Sequence, residues 1–153
     1  MKKTKQKLFC RKAILGDMKL FYDWANDPEA RKNSLNRKRI SWNSHKSWFK
    51  KKIRNKKTIL YVFKKQDVPL GQVRFDKQNK TVRLSFSICK KFRGQGFGKK
   101  MVKMAIRKCK LGKKITLFGE VRSRNSSSIK IFKSLSFTRD SSNKIHYFKK
   151  IYI

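Results

Sequence analysis

The chain has 153 residues, 38% of them apolar, which is enough for a single domain with its own core. Its 44 Lys and Arg outweigh 8 Asp and Glu, for a formal net charge of +36. Such a field attracts nucleic acid, anionic membrane or phosphorylated small molecules and works against cationic ligands; it constrains partners, not the fold. Lys is spread through every segment, so composition bias accounts for the charge as well as a non-specific nucleic-acid role does.

Taken in order, residues 7–13 read as a first strand. Asp17 is placed to cap a helix whose apolar face is Leu20, Phe21 and Trp24. Asn26-Asp27-Pro28 is turn chemistry that opens a short second helix at Glu29. After a basic connection, Ser41 caps an amphipathic helix with Trp42, His45, Phe49 and Ile53 on one face. Strands follow at 58–63, 71–75 and 82–89, with 68–70 following a polar turn and 76–80 as a hairpin turn. The next helix, 97–111, turns Phe97, Met101, Val102, Ala105, Ile106 and Cys109 inward and stops at Gly112. A strand at 115–121, a helix at 125–135 and strands near Phe137 and over 145–153 complete a mixed α/β sheet with helices on both faces. No internal repeat or linker divides the chain, so residues 1–153 form one domain.

The cysteines Cys10, Cys89 and Cys109 are far apart and show no CxxC or Cys/His pattern, which points to reduced thiols, a cytoplasmic setting and no metal site. The basic start, residues 1–7, is not followed by the apolar run of a signal peptide, and no apolar span is long enough to cross a membrane.

Between the strand ending near Ile88 and the basic helix lies Arg93-Gly94-Gln95-Gly96-Phe97-Gly98-Lys99-Lys100. Glycines at alternate positions let backbone N–H groups converge on phosphate, and a helix N-terminus adds unpaired donors and partial positive charge. Absent side chains at Gly94, Gly96 and Gly98 would let a pyrophosphate reach the main chain.

The order of elements, with Arg-x-x-Gly-x-Gly at Arg93 to Gly98, resembles the GNAT acetyltransferase family. A second stretch supports this: residues 120–125, then Ser128, Phe132 and Ser136-Phe137, match the family's distal pattern of Asn, a small residue, Tyr and Gly-Phe. The resemblance implies a mostly antiparallel mixed sheet of six to seven strands flanked by about four helices, and acetyl-CoA as cofactor. It implies that the Ile88 backbone pairs with the pantetheine arm where the strand splays from its neighbour. Amides from Gln95 through Gly96, Phe97 and Gly98 to Lys99 would hold the pyrophosphate in the loop begun by Arg93 and Gly94, and Asn125 and Phe132 would touch the cofactor. Glu120 stands where ribosomal-protein acetyltransferases of the family carry a Glu, so it is the candidate base. Phe132 replaces the family's Tyr and has no proton to give. A water or Tyr147 must then protonate the leaving thiolate, or it leaves unprotonated, or the chain is a weak catalyst.

The N-terminal half, Trp24-Ala25-Asn26-Asp27-Pro28-Glu29 with His45 and Trp48 and later residues 71–76, resembles acetyltransferases of the pseudaminic-acid pathway. That implies an amino group on a nucleotide-linked deoxy sugar as acceptor, with Trp24 and Trp48 stacking, Asn26 bonding hydroxyls, and His45 and Arg74 meeting phosphate. A ribosomal-protein or peptide N-terminus is the alternative acceptor. Asp17, Asp23, Asp27 and Glu29 gather half of the acidic residues near this side, which also fits a pocket for a cation.

Overall fold

The computed structural model describes residues 7–141 and 144–153; the basic start at residues 1–6 lies outside the described part. Seven strands form one sheet: β1 (Leu8–Lys12), β2 (Thr58–Lys65), β3 (Val68–Gln78), β4 (Thr81–Ile88), β5 (Ile115–Arg122), β6 (Thr138–Ser141) and β7 (Ile145–Tyr152). Their spatial order is β1-β2-β3-β4-β5-β7-β6, and every neighbouring pair is antiparallel except β4 and β5. Five α-helices accompany them: α1 (Met18–Ala25), α2 (Pro28–Asn33), α3 (Trp42–Arg54), α4 (Phe97–Cys109) and α5 (Ser126–Ser134).

Strand β2 is apolar without alternation because both of its faces are covered. Leu60 and Val62 pack with Phe21 of α1 and Phe49 of α3, while Tyr61 and Phe63 join the larger core with Met101, Val102 and Ala105 of α4. The inward set expected for α4 is buried except for Ile106, which is half-buried.

Local chemistry corrects several expected boundaries. Residues 68–70 belong to β3, and a register shift at Phe63/Lys64 absorbs the extra residue. The β3–β4 turn narrows to Asn79-Lys80, with Asn79 in the left-handed region at φ 54°. Helix α4 ends before Gly112, and Lys110 takes the left-handed cap position at φ 46°. Asp17 does not cap α1. Its buried carboxylate accepts both guanidinium nitrogens of Arg11, at 2.7 and 2.8 Å, and the amide of Ile14 at 2.8 Å. Ser41 does cap α3, accepting the Ser44 amide.

The relationship that sets up the site is between β4 and β5. They run in parallel for three residue pairs, Thr81–Thr116, Val82–Leu117 and Arg83–Phe118, and then part. On its other side β4 stays paired with β3 along its whole length. Cys89 donates to Leu70, so the strand's alternation turns the N–H and C=O groups of Phe86 and Ile88 away from β3 and into the gap.

Candidate active site

The gap widens into a cleft of about 1360 Å³, floored by β4 and bordered by the glycine loop, α1 to α3 and the end of β5. The glycine loop and the start of α4 form one end. Gly94 and Gly96 sit at φ 73° and 79°, with open space where a side chain would be. Gly96 is the N-cap of α4, and no side chain caps that helix, so its first amides remain as donors. Gly98 works differently. It is buried inside the first turn, and a Cβ there would run into Ile131 and Ile88, so its smallness brings α4 against α5 and β4. Gln95 offers the loop only its backbone, since its side chain donates back to the Lys91 carbonyl. Lys99 is exposed at the cleft edge.

Arg93 faces inward from the loop. Its Nε donates to the Ile88 carbonyl at 2.9 Å, and its Nη2 to Asp27 Oδ2 at 2.7 Å. Burial pushes the Asp27 carboxyl up, but Arg93 and the Ala30 and Glu29 amides outweigh it and hold the group below the usual carboxylate value. Asn125 lines the cleft as the N-cap of α5, accepting the Ser128 amide at 3.2 Å.

Phe132 also borders the cleft but belongs to the core. Its ring stacks on Phe148 at 4.9 Å and meets Phe137 edge-on at 5.0 Å. Its far end presses on Gly119, where a Cβ would collide with Cζ. No space remains there for a hydroxyl. Tyr147 is the cross-strand partner of Glu120 and shares its face, but β7 lies on the far side of β5 from the gap, and Tyr147 does not line the cleft.

On the opposite face of the sheet from α4, Arg74, Arg83, Ser85 and Glu120 present side chains to the cleft. Glu120 Oε1 accepts from Arg83 at 2.7 Å. The Arg74 guanidinium lies over the Trp48 ring, 5.2 Å from its centroid, and is steadied by Asp76 at 2.8 Å, which also takes Lys52 at 2.7 Å. Trp24 lines the same wall and packs against Phe21. Gln72 donates to Ser87, and among the described residues its buried Oε1 has no donor.

His45 is 2% exposed, donates through Nε2 to the Met18 carbonyl at 2.8 Å and is ringed by Tyr22, Trp42, Trp48 and Phe49. Burial lowers its pKa, against smaller opposing effects of that carbonyl and Asp23. Asn26 does not line the cleft; its amide exchanges two hydrogen bonds with the Ile40 backbone, at 2.8 and 3.0 Å. Sequence reading missed Arg83 as a site residue and placed Asp27 only in an acidic cluster, not as the partner of Arg93. The available signal was the polar alternation Arg83, Ser85, Ser87 along β4, which marks the cleft-facing side.

The sheet splits beside a glycine-capped helix, and the split brings unpaired backbone groups and the Glu120 carboxylate to one cleft. A family model for the acetyltransferase (GNAT) domain matches residues 7–138, and the chain belongs to that family. It is therefore an N-acetyltransferase, and acetyl-CoA is its cofactor. The fold is similar to that of the spermidine N-acetyltransferase from Vibrio cholerae solved with CoA and spermine, at 14% identity and TM-score 0.84 over 95% of each chain. It is also similar to a domain from Methanocaldococcus jannaschii (19% identity, TM-score 0.81, covering 94% of this chain and 97% of that one). An N-acetyltransferase from Staphylococcus aureus Mu50 gives 19% identity and TM-score 0.79, over 95% and 98%. A search of curated proteins gave no match.

Proposed function

We propose that this enzyme acetylates a primary amine carried by an anionic small molecule, of the kind a nucleotide-linked amino sugar represents, by direct transfer in the β4–β5 gap. The observation that carries the reading is the acceptor wall: the Arg74 guanidinium over the Trp48 ring, with Arg83 also lining the cleft from the next strand. Among the described residues, seven Lys and Arg line the cleft against three acidic ones, and two of those acids, Asp27 and Glu120, are already paired with arginine. A planar guanidinium on an aromatic ring suits phosphate or a nucleobase better than an ammonium chain.

Acetyl-CoA supplies the activated acetyl group as a thioester. Backbone groups of Phe86 and Ile88 would pair with the pantetheine amides, and the amides of Gly96, Phe97 and their neighbours with the pyrophosphate. Arg83 occupies Glu120 Oε1, so Oε2 takes the proton from the attacking amine, directly or through one water. With Phe132 sealed in the core, a proton for the departing sulfur would come from water.

A polyamine is the second reading. Glu29 lines the cleft without an ion pair among the described residues, and the Vibrio cholerae relative was solved with spermine. A panel with acetyl-CoA and UDP-linked amino sugars, spermidine, spermine and peptide N-termini separates these acceptors by thiol release. Turnover confined to polyamines or peptides would reject the anionic-acceptor reading.

A further inference from the structure

The segment from Asp27 to Ile40 forms one side of the cleft, and arginine side chains hold it in place. Arg31 ties the segment to itself through the carbonyls of Asn36 and Lys38, each at 2.9 Å, and to the end of α1 through the Ala25 carbonyl at 2.6 Å. Two others attach it to the sheet. Arg122, at the end of β5, donates to the Ser34 and Leu35 carbonyls at 2.6 and 2.7 Å. Arg93 reaches Asp27 from inside the glycine loop while also holding the Ile88 carbonyl.

Asp27 is more than a counter-ion. The same Oδ2 that receives Arg93 accepts the Ala30 amide at 3.0 Å, so the carboxylate is the N-cap of α2. One guanidinium therefore joins the cofactor strand, the phosphate loop and the first turn of the acceptor-side helix. The side chains of Arg93 and Asp27 are 30% and 17% exposed, sheltered enough to limit screening by salt.

We propose that Arg93 and Asp27 are positioning residues that couple the two halves of the cleft, so that filling the glycine loop orders the 27–40 segment around the acceptor. A ligand that fixes the loop backbone and the Ile88 strand end fixes the Arg93 guanidinium. Part of the entropy cost of ordering α2 is then already met before the acceptor arrives. Lysine cannot replace Arg93, because a point-like ammonium on a flexible stem does not span a carbonyl and a carboxylate in fixed geometry. The coupling rests on the loop being the cofactor site and is indifferent to which amine is accepted.

Hydrogen–deuterium exchange of the full chain, with and without CoA, tests it. In wild type, CoA slows exchange both at residues 93–99 and at residues 28–40. In Asp27→Asn and Asp27→Ser, which keep a good N-cap residue and leave the glycine loop intact, the loop remains protected while the CoA-dependent protection of 28–40 falls about fivefold or more. Protection of 28–40 that is absent in wild type, or that persists in both variants, overturns the coupling. Failure of CoA to protect 93–99 in wild type overturns the cofactor placement itself, and the coupling with it.

Discussion

Glu120 and Arg83 meet at 2.7 Å beside the last rung of the β4–β5 ladder, where Arg83 pairs with Phe118 and the two strands part. The pair places one carboxylate at the point where the gap opens. Glu120→Gln keeps the shape and the hydrogen bond to Arg83 but cannot take a proton. Its kcat should fall by about 10²–10⁴ while its calorimetric affinity for acetyl-CoA stays near wild type. A variant with wild-type kcat would remove Glu120 from the chemistry.

Helix α5 ends in a Schellman turn: the Phe137 amide bonds the Phe132 carbonyl, the Ser136 amide bonds the Lys133 carbonyl, and the Phe132 and Phe137 rings pack together. Ser136 sits at φ 64° where the family pattern has Gly. Ser136→Gly relieves that conformation and should stabilise the fold by about 1 kcal/mol, read as a higher urea midpoint. An unchanged or lower midpoint would mean that Ser136 carries no strain.

Phe132→Tyr restores the family's residue but not its hydroxyl's usefulness. The ring is enclosed by Phe86, Phe137 and Phe148, and its end abuts Gly119. An added oxygen overpacks the core, at a cost of about 1–3 kcal/mol in thermal or urea unfolding. No rise in kcat is expected; a gain in kcat with unchanged stability would contradict the packing argument.

His45 gives stability a pH dependence of definite sign. Its folded pKa lies below the usual 6.5 because burial disfavours the imidazolium. Below about pH 6.5 the unfolded chain therefore binds more protons than the folded one. Stability from this residue is complete above that value and is lost as the pH falls from there toward the folded pKa, with a slope of at most about 1.4 kcal/mol per pH unit. Urea midpoints at pH 7.5, 6 and 5 should decline for wild type and decline less for His45→Gln.

Much of the fold was legible because both cores advertise themselves: the unbroken apolar run of β2 and the spacing from Phe97 to Cys109 leave little choice of period. The conformation of the glycine loop was legible for a similar reason, since Gly94 and Gly96 carry backbone requirements that the sequence states directly. What was not legible depends on long-range partners. Nothing local says that Arg93 turns to Asp27, 66 residues away, that Asn26 serves Ile40, or that His45 donates to Met18. Gly98 read like its neighbours, yet it is a packing glycine, because only the assembled fold brings Ile131 against it.

The claim that the β4–β5 gap holds the cofactor is tested most directly by titrating ¹⁵N-labelled protein with CoA and following backbone amides. The largest shifts are expected at Phe86, Ile88 and residues 95–99. Shifts centred instead on the basic face of α3 around Lys50, Lys51 and Arg54, with the gap amides unmoved, would contradict it.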